Sequence, residues 1–289
     1  LKPGPPADTG VADVTDVTGS VSAGRHPGKS IAAHAPTIGA RQVNSAYHRR
    51  VASLRELGNS TSRQLRSVSS ALIVPVGSTE QHGPHLPLDT DTRIATAVAN
   101  AVGQALADRD ESNWMVAPAI GYGASGEHEG FSGTISIGTS ALRLLLLEFG
   151  RSASRWASRV VFVNGHGGNV EALAAATALL RDEGRDAAWC SCSVVNADAH
   201  AGHTETSVLL HISPKDVWLD ERVPGNRAPL VELMPELRRG GVAAVSKIGV
   251  LGDPTTATAQ EGAHLFAGMV DGCLHRITRW APGPDGMLG

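Results

Sequence analysis

The sequence predicts an α/β domain in which a mainly parallel sheet is covered by helices on both faces. Short apolar segments alternate along the chain with segments whose apolar residues recur at helical spacing, which is the order expected of βα units. Residues 71–76 read Ala-Leu-Ile-Val-Pro-Val, as in a buried parallel strand. With 289 residues and 42% hydrophobic content, the chain is long enough for one large domain with a substantial core.

The individual elements follow from local patterns. Residues 92–108 carry apolar side chains at helical spacing. Ser140 is a suitable N-cap for the next helix, and Gly184 ends an Ala/Leu-rich helix. The predicted strands lie at 71–76, 114–120, 134–137, 160–163 and 187–195, and the predicted helices at 43–57, 92–108, 140–156, 170–181 and 259–279.

Composition divides the chain into three parts. Residues 1–42 are rich in Gly, Pro, Ala, Ser and Thr and lack hydrophobic periodicity, which predicts a disordered N-terminal extension. Residues 43–280 are expected to form the single domain. The Pro/Gly-rich residues 281–289 are expected to be a flexible tail.

Charge and composition exclude several classes of protein. The net charge of −3 does not indicate the basic surface that binding to nucleic acid or to an acidic membrane requires. No apolar run approaches the roughly 20 residues of a membrane helix, and the N-terminus lacks the apolar region of a signal peptide. Cys190, Cys192 and Cys273 form no disulfide framework, so we expect a cytoplasmic protein.

Side chains suited to metal binding are concentrated in the loop after the first strand. Residues 77–91 read Gly-Ser-Thr-Glu-Gln-His-Gly-Pro-His-Leu-Pro-Leu-Asp-Thr-Asp. Glu80 and His82 are two apart, so in extended chain both side chains point the same way. Open α/β sheets hold their active sites at the carboxyl ends of strands, and Glu, His and Asp91 together suit Zn, Fe or Mn. An isolated Glu-x-His pair is more often solvated surface.

Two further ligand-rich segments follow later strands. A glycine-rich turn after the strand at 160–163 places His166 before a helix, whose first N–H groups would stabilise an anion or oxyanion. The segment after the next strand carries His200, His203 and Glu205. Each residue alone has a structural explanation, such as a first-turn carboxylate favoured by the helix dipole for Glu205. Three such segments after three strands favour a shared metal site.

The run Gly-Tyr-Gly-Ala-Ser-Gly at 121–126 matches a dinucleotide-binding pattern. No helix follows to offer its N-terminus to a pyrophosphate, so we interpret the run as an active-site loop. A nucleotide-dependent oxidoreductase has only this weak match in its favour. Glu127, His128 and Glu129 continue the loop and would either close over a substrate or form a solvated charged surface.

Together, the three ligand-rich segments resemble the creatininase (creatinine amidohydrolase) family over roughly residues 44–279. The motifs are the loop at 77–91, the Asn-Gly-His-Gly-Gly-Asn turn at 164–169 and the His-Ala-Gly-x-x-Glu-Thr-Ser run at 200–207. The resemblance implies a three-layer creatininase-like fold and an amidohydrolase with two divalent metal ions per subunit. The implied ions are zinc, iron or both, with manganese as an alternative.

The resemblance also assigns ligands by motif. Glu80 and His82 would each serve one metal, Asp91 would bridge both, and His166 would complete one site. In creatininases proper a Glu stands two positions after this His, where the present chain has Gly168. One ligand is therefore missing or is supplied from elsewhere.

Glu205 is our candidate for the replacement ligand and for a catalytic role. The family's His five residues before that Glu matches His200, which would act as a proton shuttle because an imidazole titrates near neutral pH. The amides of Gly167 and Gly168 would help to hold the tetrahedral oxyanion.

Within the family, the chain after residue 44 is most similar to members that trim a ribosomal precursor peptide. The implied function is hydrolysis near the C-terminus of such a modified peptide, with release of a Val-Tyr dipeptide. The alternative is a small-molecule amidohydrolase acting on a creatinine-like cyclic amide or a formamide, although the creatinine-binding tryptophans cannot be placed. A non-catalytic carrier of metal or peptide is a third interpretation. The family implies a homo-oligomer, commonly a hexamer.

Overall fold

A four-stranded parallel sheet lies at the centre of the structure. Its strands are β1 (Ser70–Val76), β2 (Asn113–Val116), β3 (Ala157–Asn164) and β4 (Ala187–Ser191), in the order β2-β1-β3-β4. The computed structural model describes residues 56–66, 69–109, 113–194 and 197–289. The predicted extension at 1–42 and nearly all of the predicted helix at 43–57 lie outside these residues.

Helices connect the strands and cover the sheet. Among the described residues, none of them is both long and apolar enough to cross a membrane. The helices are α1 (Ser62–Leu65), α2 (Thr90–Asp108), α3 (Gly138–Ala153), α4 (Val170–Asp182), α5 (His203–Ile212), α6 (Leu230–Val245) and α7 (Ala259–Arg279).

The core has two halves, one on each face of the sheet. Ile73 and Val161 pack on the face covered by α2, α5 and α7. Leu72 and Phe162 pack on the face covered by α3 and α4. The alternation arises because successive side chains of a strand point to opposite faces. This arrangement confirms the predicted α/β class with a parallel sheet between two helical layers.

The strand register brings the site loops together. β1 and β3 pair from Leu72 opposite Val160 to Val76 opposite Asn164. Both strands therefore end at the same edge, and the loops that follow them start side by side. Because parallel strands share one carboxyl edge, the ligand-rich segments identified in the sequence converge there.

Several predicted elements differ from the structure. The strands expected at 114–120 and 187–195 end earlier, at Val116 and Ser191. Residues 134–137 form no strand; Ile135, for example, makes a single backbone hydrogen bond, from its N–H to the carbonyl of Thr79 at 2.9 Å. The helix expected from Ser140 begins two residues earlier, at Gly138. The short apolar run at 134–137 thus resembles a strand in sequence, but in the structure it is an extended connection that passes the site loops and leads into α3.

Helix α6 has no counterpart among the predicted elements. Its apolar pattern is interrupted by Pro235 and by Gly241, whose φ of 66° breaks the helix. Both residues are expected to end a helix, and they mask the periodicity that would otherwise reveal one.

Residues 281–289 pack against β4, so the prediction of a flexible tail is wrong. The N–H of Trp189 donates to the carbonyl of Gly286 at 3.0 Å, and the N–H of Leu288 donates back to Trp189 at 2.9 Å. Leu288 is fully buried. The physical reason is that β4 is the last strand of the sheet, and its free edge can pair with another extended segment. The Pro and Gly content of residues 281–289 indicates turns in this segment, but it does not indicate the backbone pairing with β4.

We expect Leu288→Ala to destabilise the protein by roughly 2–4 kcal/mol, because the substitution removes a buried side chain and leaves a cavity. The free energy of unfolding in a denaturant titration measures the effect. Met287, which is 41% exposed, provides the matched control, and Met287→Ala should change little. Equal stability of both variants would mean that the segment is detached from β4 in solution.

Candidate metal centre

The ligand-type side chains meet at the carboxyl edge of the sheet. Loops after β1, β2, β3 and β4, together with the first turns of α2 and α5, each contribute at least one of them. In chain order they are Glu80, His82, Asp91, His128, His166, His200 and Glu205. All of them are buried except Glu205, which is partly exposed.

Asp91 lies at the centre of this group. Its Oδ1 is 3.1 Å from Nε2 of His82, and its Oδ2 is 3.2 Å from Nδ1 of His166. Oδ2 also accepts a hydrogen bond from Ser78 Oγ at 2.7 Å. Nδ1 of His82 lies 3.1 Å from the backbone carbonyl of Glu80. That contact holds the proton of the neutral ring on Nδ1, so Nε2 is free to bind a cation.

Glu80 is the strongest indication that the site accepts cations. Its side chain is fully buried, and among the described residues neither carboxylate oxygen has a partner with good hydrogen-bond geometry, although Ser125 lies near enough to lower the pKa of the carboxyl slightly. Imidazole nitrogens of His128 and His166 lie near these oxygens, at 3.3 and 3.2 Å. A buried carboxylate without a hydrogen-bond donor is unfavourable unless a positive charge neutralises it.

Ligand-type atoms lie close enough together to hold divalent ions. Three groups of three side chains each keep their ligand atoms within 4.8 Å of one another. The first is Glu80, Asp91 and His166, the second is His82, His200 and Glu205, and the third is Glu80, His128 and His200. Because Asp91 also contacts His82, its two oxygens link the first two groups. Imidazole and carboxylate ligands of this kind suit zinc, iron or manganese.

Burial and mutual charge shift the pKa values of the site. Burial raises the pKa of Glu80 to about 7, with a further rise from the charge of Asp91. Burial also raises the pKa of Glu205 to about 7. Burial disfavours the charged form of His82, but the charge of Asp91 outweighs this and raises the pKa to about 10. The charges of Glu80 and Asp91 likewise outweigh burial and raise the pKa of His166 to about 9.

His200 lies between two other imidazoles. Its ring centroid is 4.3 Å from those of His82 and His128. Its Nε2 is 2.8 Å from the carbonyl of Gln81, and its Nδ1 is 3.7 Å from Glu80. Burial, and then the charge of His82, hold the pKa of His200 well below its usual value. The ring is therefore neutral near pH 7, which the intrinsic pKa of an imidazole did not indicate.

The loop at 126–129 is packed against the site. His128 is only 3% exposed, so the solvated charged surface that the sequence left open does not describe this residue. Burial lowers the pKa of His128 to about 3. Glu127 is half-buried, and its Oε1 lies 3.5 Å from Nε2 of His166. Glu129 is exposed. The loop therefore supplies part of the site's own structure.

The structure explains why no ligand can stand at position 168. A Cβ on Gly168 would meet a backbone carbonyl and, at 2.5 Å, Nε2 of His166, so no side chain fits. Glu205 brings a carboxylate from α5 to the site, with Oε2 at 3.8 Å from Nε2 of His82. The N–H of Ala201 donates to the same oxygen at 2.6 Å and fixes its position.

Two residues that sequence reasoning missed hold the loops together. Gln81 Oε1 accepts a hydrogen bond from Gly83 N–H at 2.9 Å, and Gln81 Nε2 lies 2.8 Å from His128 Nδ1. Asn169 Oδ1 accepts from the N–H of Ala124 at 2.9 Å, while Asn169 Nδ2 donates to a backbone carbonyl of the β1 loop. The sequence signal that could have identified Gln81 and Asn169 is their position inside glycine-rich motifs that directly follow strands.

A cavity of about 460 Å³ opens onto the ligand groups. Asp91, His166, His200 and Glu205 line its polar side, together with the backbone of the Gly-rich turn after β3. Apolar side chains of α6 also line it. The cavity therefore gives a substrate access to the candidate metal centre.

The model of the creatininase family, described as creatinine amidohydrolase, matches residues 57–277. The chain belongs to the creatininase family. A relative from Mycolicibacterium smegmatis, named mycofactocin precursor peptide peptidase, is 70% identical over 249 residues, covering 85% of this chain and 100% of the relative.

Solved structures of creatininases share the fold. One described as "Creatininase Mn" has a TM-score of 0.64 and 25% identity, covering 79% of this chain and 99% of that chain. A mutant creatininase described as the Zn-Zn type has a TM-score of 0.64 and 25% identity, over 78% of this chain and 98% of that chain. These likenesses confirm the creatininase-like fold implied by the three sequence motifs.

We expect Gly168→Ala to weaken metal binding by roughly 10- to 100-fold, the usual effect of disturbing the support of a ligand. The added Cβ would displace His166. Gly167→Ala is the matched control, because a Cβ there meets nothing within 4 Å. Competition with a chelator measures the affinities, and circular dichroism checks folding. Equal affinities of the two variants would show that His166 does not bind the metal.

We also expect metal binding to release protons. His82 and His166 have pKa values of about 10 and 9 in the metal-free protein, and a ligand nitrogen must lose its proton. At pH 8 we therefore expect release of about two protons, and more near pH 6, where Glu80 and Glu205 are also protonated. Affinity should rise with pH.

Isothermal titration calorimetry in buffers of different ionisation enthalpy counts these protons. His82→Ala should reduce the count at pH 8 by about one, since it removes one of the two protonated imidazoles. An affinity that does not depend on pH between 6 and 8 would contradict the assignment of these side chains as ligands.

Proposed function

We propose that this protein is a metal-dependent peptidase that trims the C-terminal region of the modified mycofactocin precursor peptide and releases a Val-Tyr dipeptide. The observation that carries the proposal is the pair of ligand groups linked by Asp91 beside an open cavity. Two-cation sites of this kind suit hydrolysis of an amide bond. The name of the 70% identical relative supports a peptide as the substrate.

Two divalent ions would be held by this chain's own side chains. Glu80, Asp91 and His166 would hold one ion, and His82, Asp91 and Glu205 the other. Solved creatininases described as manganese and Zn-Zn forms support such ions in this family. When bound, the ions would supply an activated water for attack and would polarise the scissile carbonyl.

Other groups of the chain would handle the protons and the developing charge. Nε2 of His200 donates to the carbonyl of Gln81, which leaves Nδ1, 3.7 Å from Glu80, without a proton, so His200 would take up a proton there and pass it to the leaving amine. Gly167 and Gly168 line the cavity, where their backbone amides would face the oxyanion. Glu127, half-buried beside His166 and lining the cavity, would contact the substrate.

A small-molecule amidohydrolase is the second candidate. A cavity of about 460 Å³ also admits a cyclic amide or a formamide, and the same ligand groups would serve that reaction. The two functions share their chemistry and differ in substrate, so only turnover of defined substrates distinguishes them.

We expect the metal-loaded protein to remove a C-terminal Val-Tyr from the decarboxylated, cross-linked precursor peptide, as followed by mass spectrometry. Asp91→Ala should abolish cleavage, because it removes the carboxylate that links the two ligand groups. Asp89→Ala is the matched control: this carboxylate is 48% exposed and pairs with Arg93 away from the site.

Each outcome of this experiment is informative. Cleavage by the wild type and Asp89→Ala, but not by Asp91→Ala, would support a metal-dependent peptidase. An intact peptide together with turnover of a small amide would transfer the function to the second candidate. Cleavage that persists in Asp91→Ala would rule out the proposed centre.

A further inference from the structure

Gln81 lies between two imidazoles of the site and contacts both. Its side chain is buried, so each of its polar groups needs a partner within the protein. Its Nε2 is 2.8 Å from Nδ1 of His128, 3.0 Å from Nε2 of His200 and 3.1 Å from the carbonyl of Gly249. An amide nitrogen carries two hydrogens, so it donates to two of these three atoms.

Two backbone groups fix which end of the Gln81 amide is the nitrogen. Oε1 accepts a hydrogen bond from the N–H of Gly83 at 2.9 Å, and Nε2 donates to the carbonyl of Gly249. The reversed amide would set its oxygen against the carbonyl of Gly249 and its nitrogen against the N–H of Gly83, so both contacts would be repulsive. Gln81 Nε2 therefore has one hydrogen left for an imidazole.

This hydrogen goes to His128, because His200 has an acceptor of its own. Nε2 of His200 is 2.8 Å from the backbone carbonyl of Gln81, a contact that is favourable when this nitrogen carries a proton. The reverse assignment would set a lone pair of His200 against that carbonyl oxygen and would leave Nδ1 of His128 without a donor. Nδ1 of His128 therefore accepts from Gln81, and the ring carries its proton on Nε2.

Gln81 thus gives two neighbouring imidazoles opposite tautomers. His200 keeps the lone pair of Nδ1, which lies 3.7 Å from Oε1 of Glu80. His128 has its hydrogen on Nε2, which lies 3.3 Å from the same oxygen. A protonated ring nitrogen cannot bind a cation, since a metal ligand needs a free lone pair. The close spacing of ligand-type atoms in Glu80, His128 and His200 is therefore not sufficient for an ion site.

We propose that Gln81 is a positioning residue that fixes His128 as an N–H donor facing Glu80, and that His128 is not a metal ligand. The 3.3 Å contact lacks good hydrogen-bond geometry. A rotation of the Glu80 carboxylate about its last torsion, which is broad for glutamate, would complete the bond. The centre then binds two ions rather than three. These roles rest on the proposed metal-dependent function and hold for a peptide and for a small amide alike.

The tautomer is measured by solid-state ¹⁵N NMR on protein labelled at histidine, because protonated and unprotonated ring nitrogens give separate signals. The signals missing from His128→Gln assign this ring. In the wild type, Nδ1 of His128 should be unprotonated and Nε2 protonated, both without metal and after loading with zinc. In Gln81→Glu, which has a similar shape and no N–H to donate, Nδ1 should gain a proton. A protonated Nδ1 or a zinc-bound Nε2 in the wild type would overturn the proposal.

Zinc affinity separates a hydrogen-bond donor from a ligand, because glutamine can replace the donor. The side-chain nitrogen of glutamine carries hydrogens and has no lone pair free for a cation. His128→Gln should therefore bind two zinc ions with close to wild-type affinity. His128→Leu removes the donor and should bind zinc roughly 10- to 100-fold more weakly. His166→Gln is the matched control, because the same change at a proposed ligand should weaken binding although the glutamine is present.

Competition with a chelator measures these affinities, metal analysis gives the ions per chain, and circular dichroism checks folding. Equal losses in His128→Gln and His166→Gln, or three ions per wild-type chain, would contradict the assigned roles. Neither measurement needs a substrate, so two bound ions and the expected tautomer would support the role of Gln81 even if no peptide were cleaved. If no ion binds, the proposed function fails, while the tautomer of the metal-free protein still tests Gln81.

Discussion

The shared carboxylate of Asp91 is the contact on which the rest of the site depends. Its two oxygens reach His82 and His166 in different directions, so one side chain at the start of α2 ties together the loops after β1 and β3. The same arrangement brings Glu80 and Glu205 into a buried, low-dielectric space. Carboxylates in such a space repel one another unless protons or cations neutralise them. Burial raises the pKa of both glutamates and the charge of Asp91 raises it further, so their ionised forms would be stabilised by a positive charge beside them.

The close approach of three loops requires residues without side chains. A Cβ on Gly165 would lie 2.6 Å from the carbonyl of Asp91, and one on Gly77 would collide with Thr92. Glycine at these positions lets the ends of β1 and β3 approach the start of α2. The amide of Asn169 then connects the loops after β1 and β2 to the turn after β3. The sheet register and these contacts hold the ligands before any cation binds, which lowers the cost of organising them.

The sequence predicted those features of the structure that are determined by residues close together in the chain. Uninterrupted apolar runs indicated the parallel strands, and three motifs indicated the side chains that the structure brings together at their ends. Contacts between distant segments were not accessible in this way. Gln81 matters because it touches His128 and His200, which are 47 and 119 residues away in the chain. Leu288 is buried because an edge strand accepts its backbone, and the composition of its own segment carries no sign of that pairing.

The glycine at position 168 has consequences for the whole cavity. With Gly168 after His166, the space that a side chain would fill there is occupied by the His166 ring and by Glu127, whose Oε1 would lie 2.9 Å from the added Cβ. The carboxylate that lies near His82 comes from α5. The candidate ligands thus sit on the sheet edge and on α2 and α5, whereas apolar side chains of α6, which packs on the loop after β2, also line the cavity. Because these are separate elements, substitutions in α6 would reshape the cavity without moving Asp91 or Glu205.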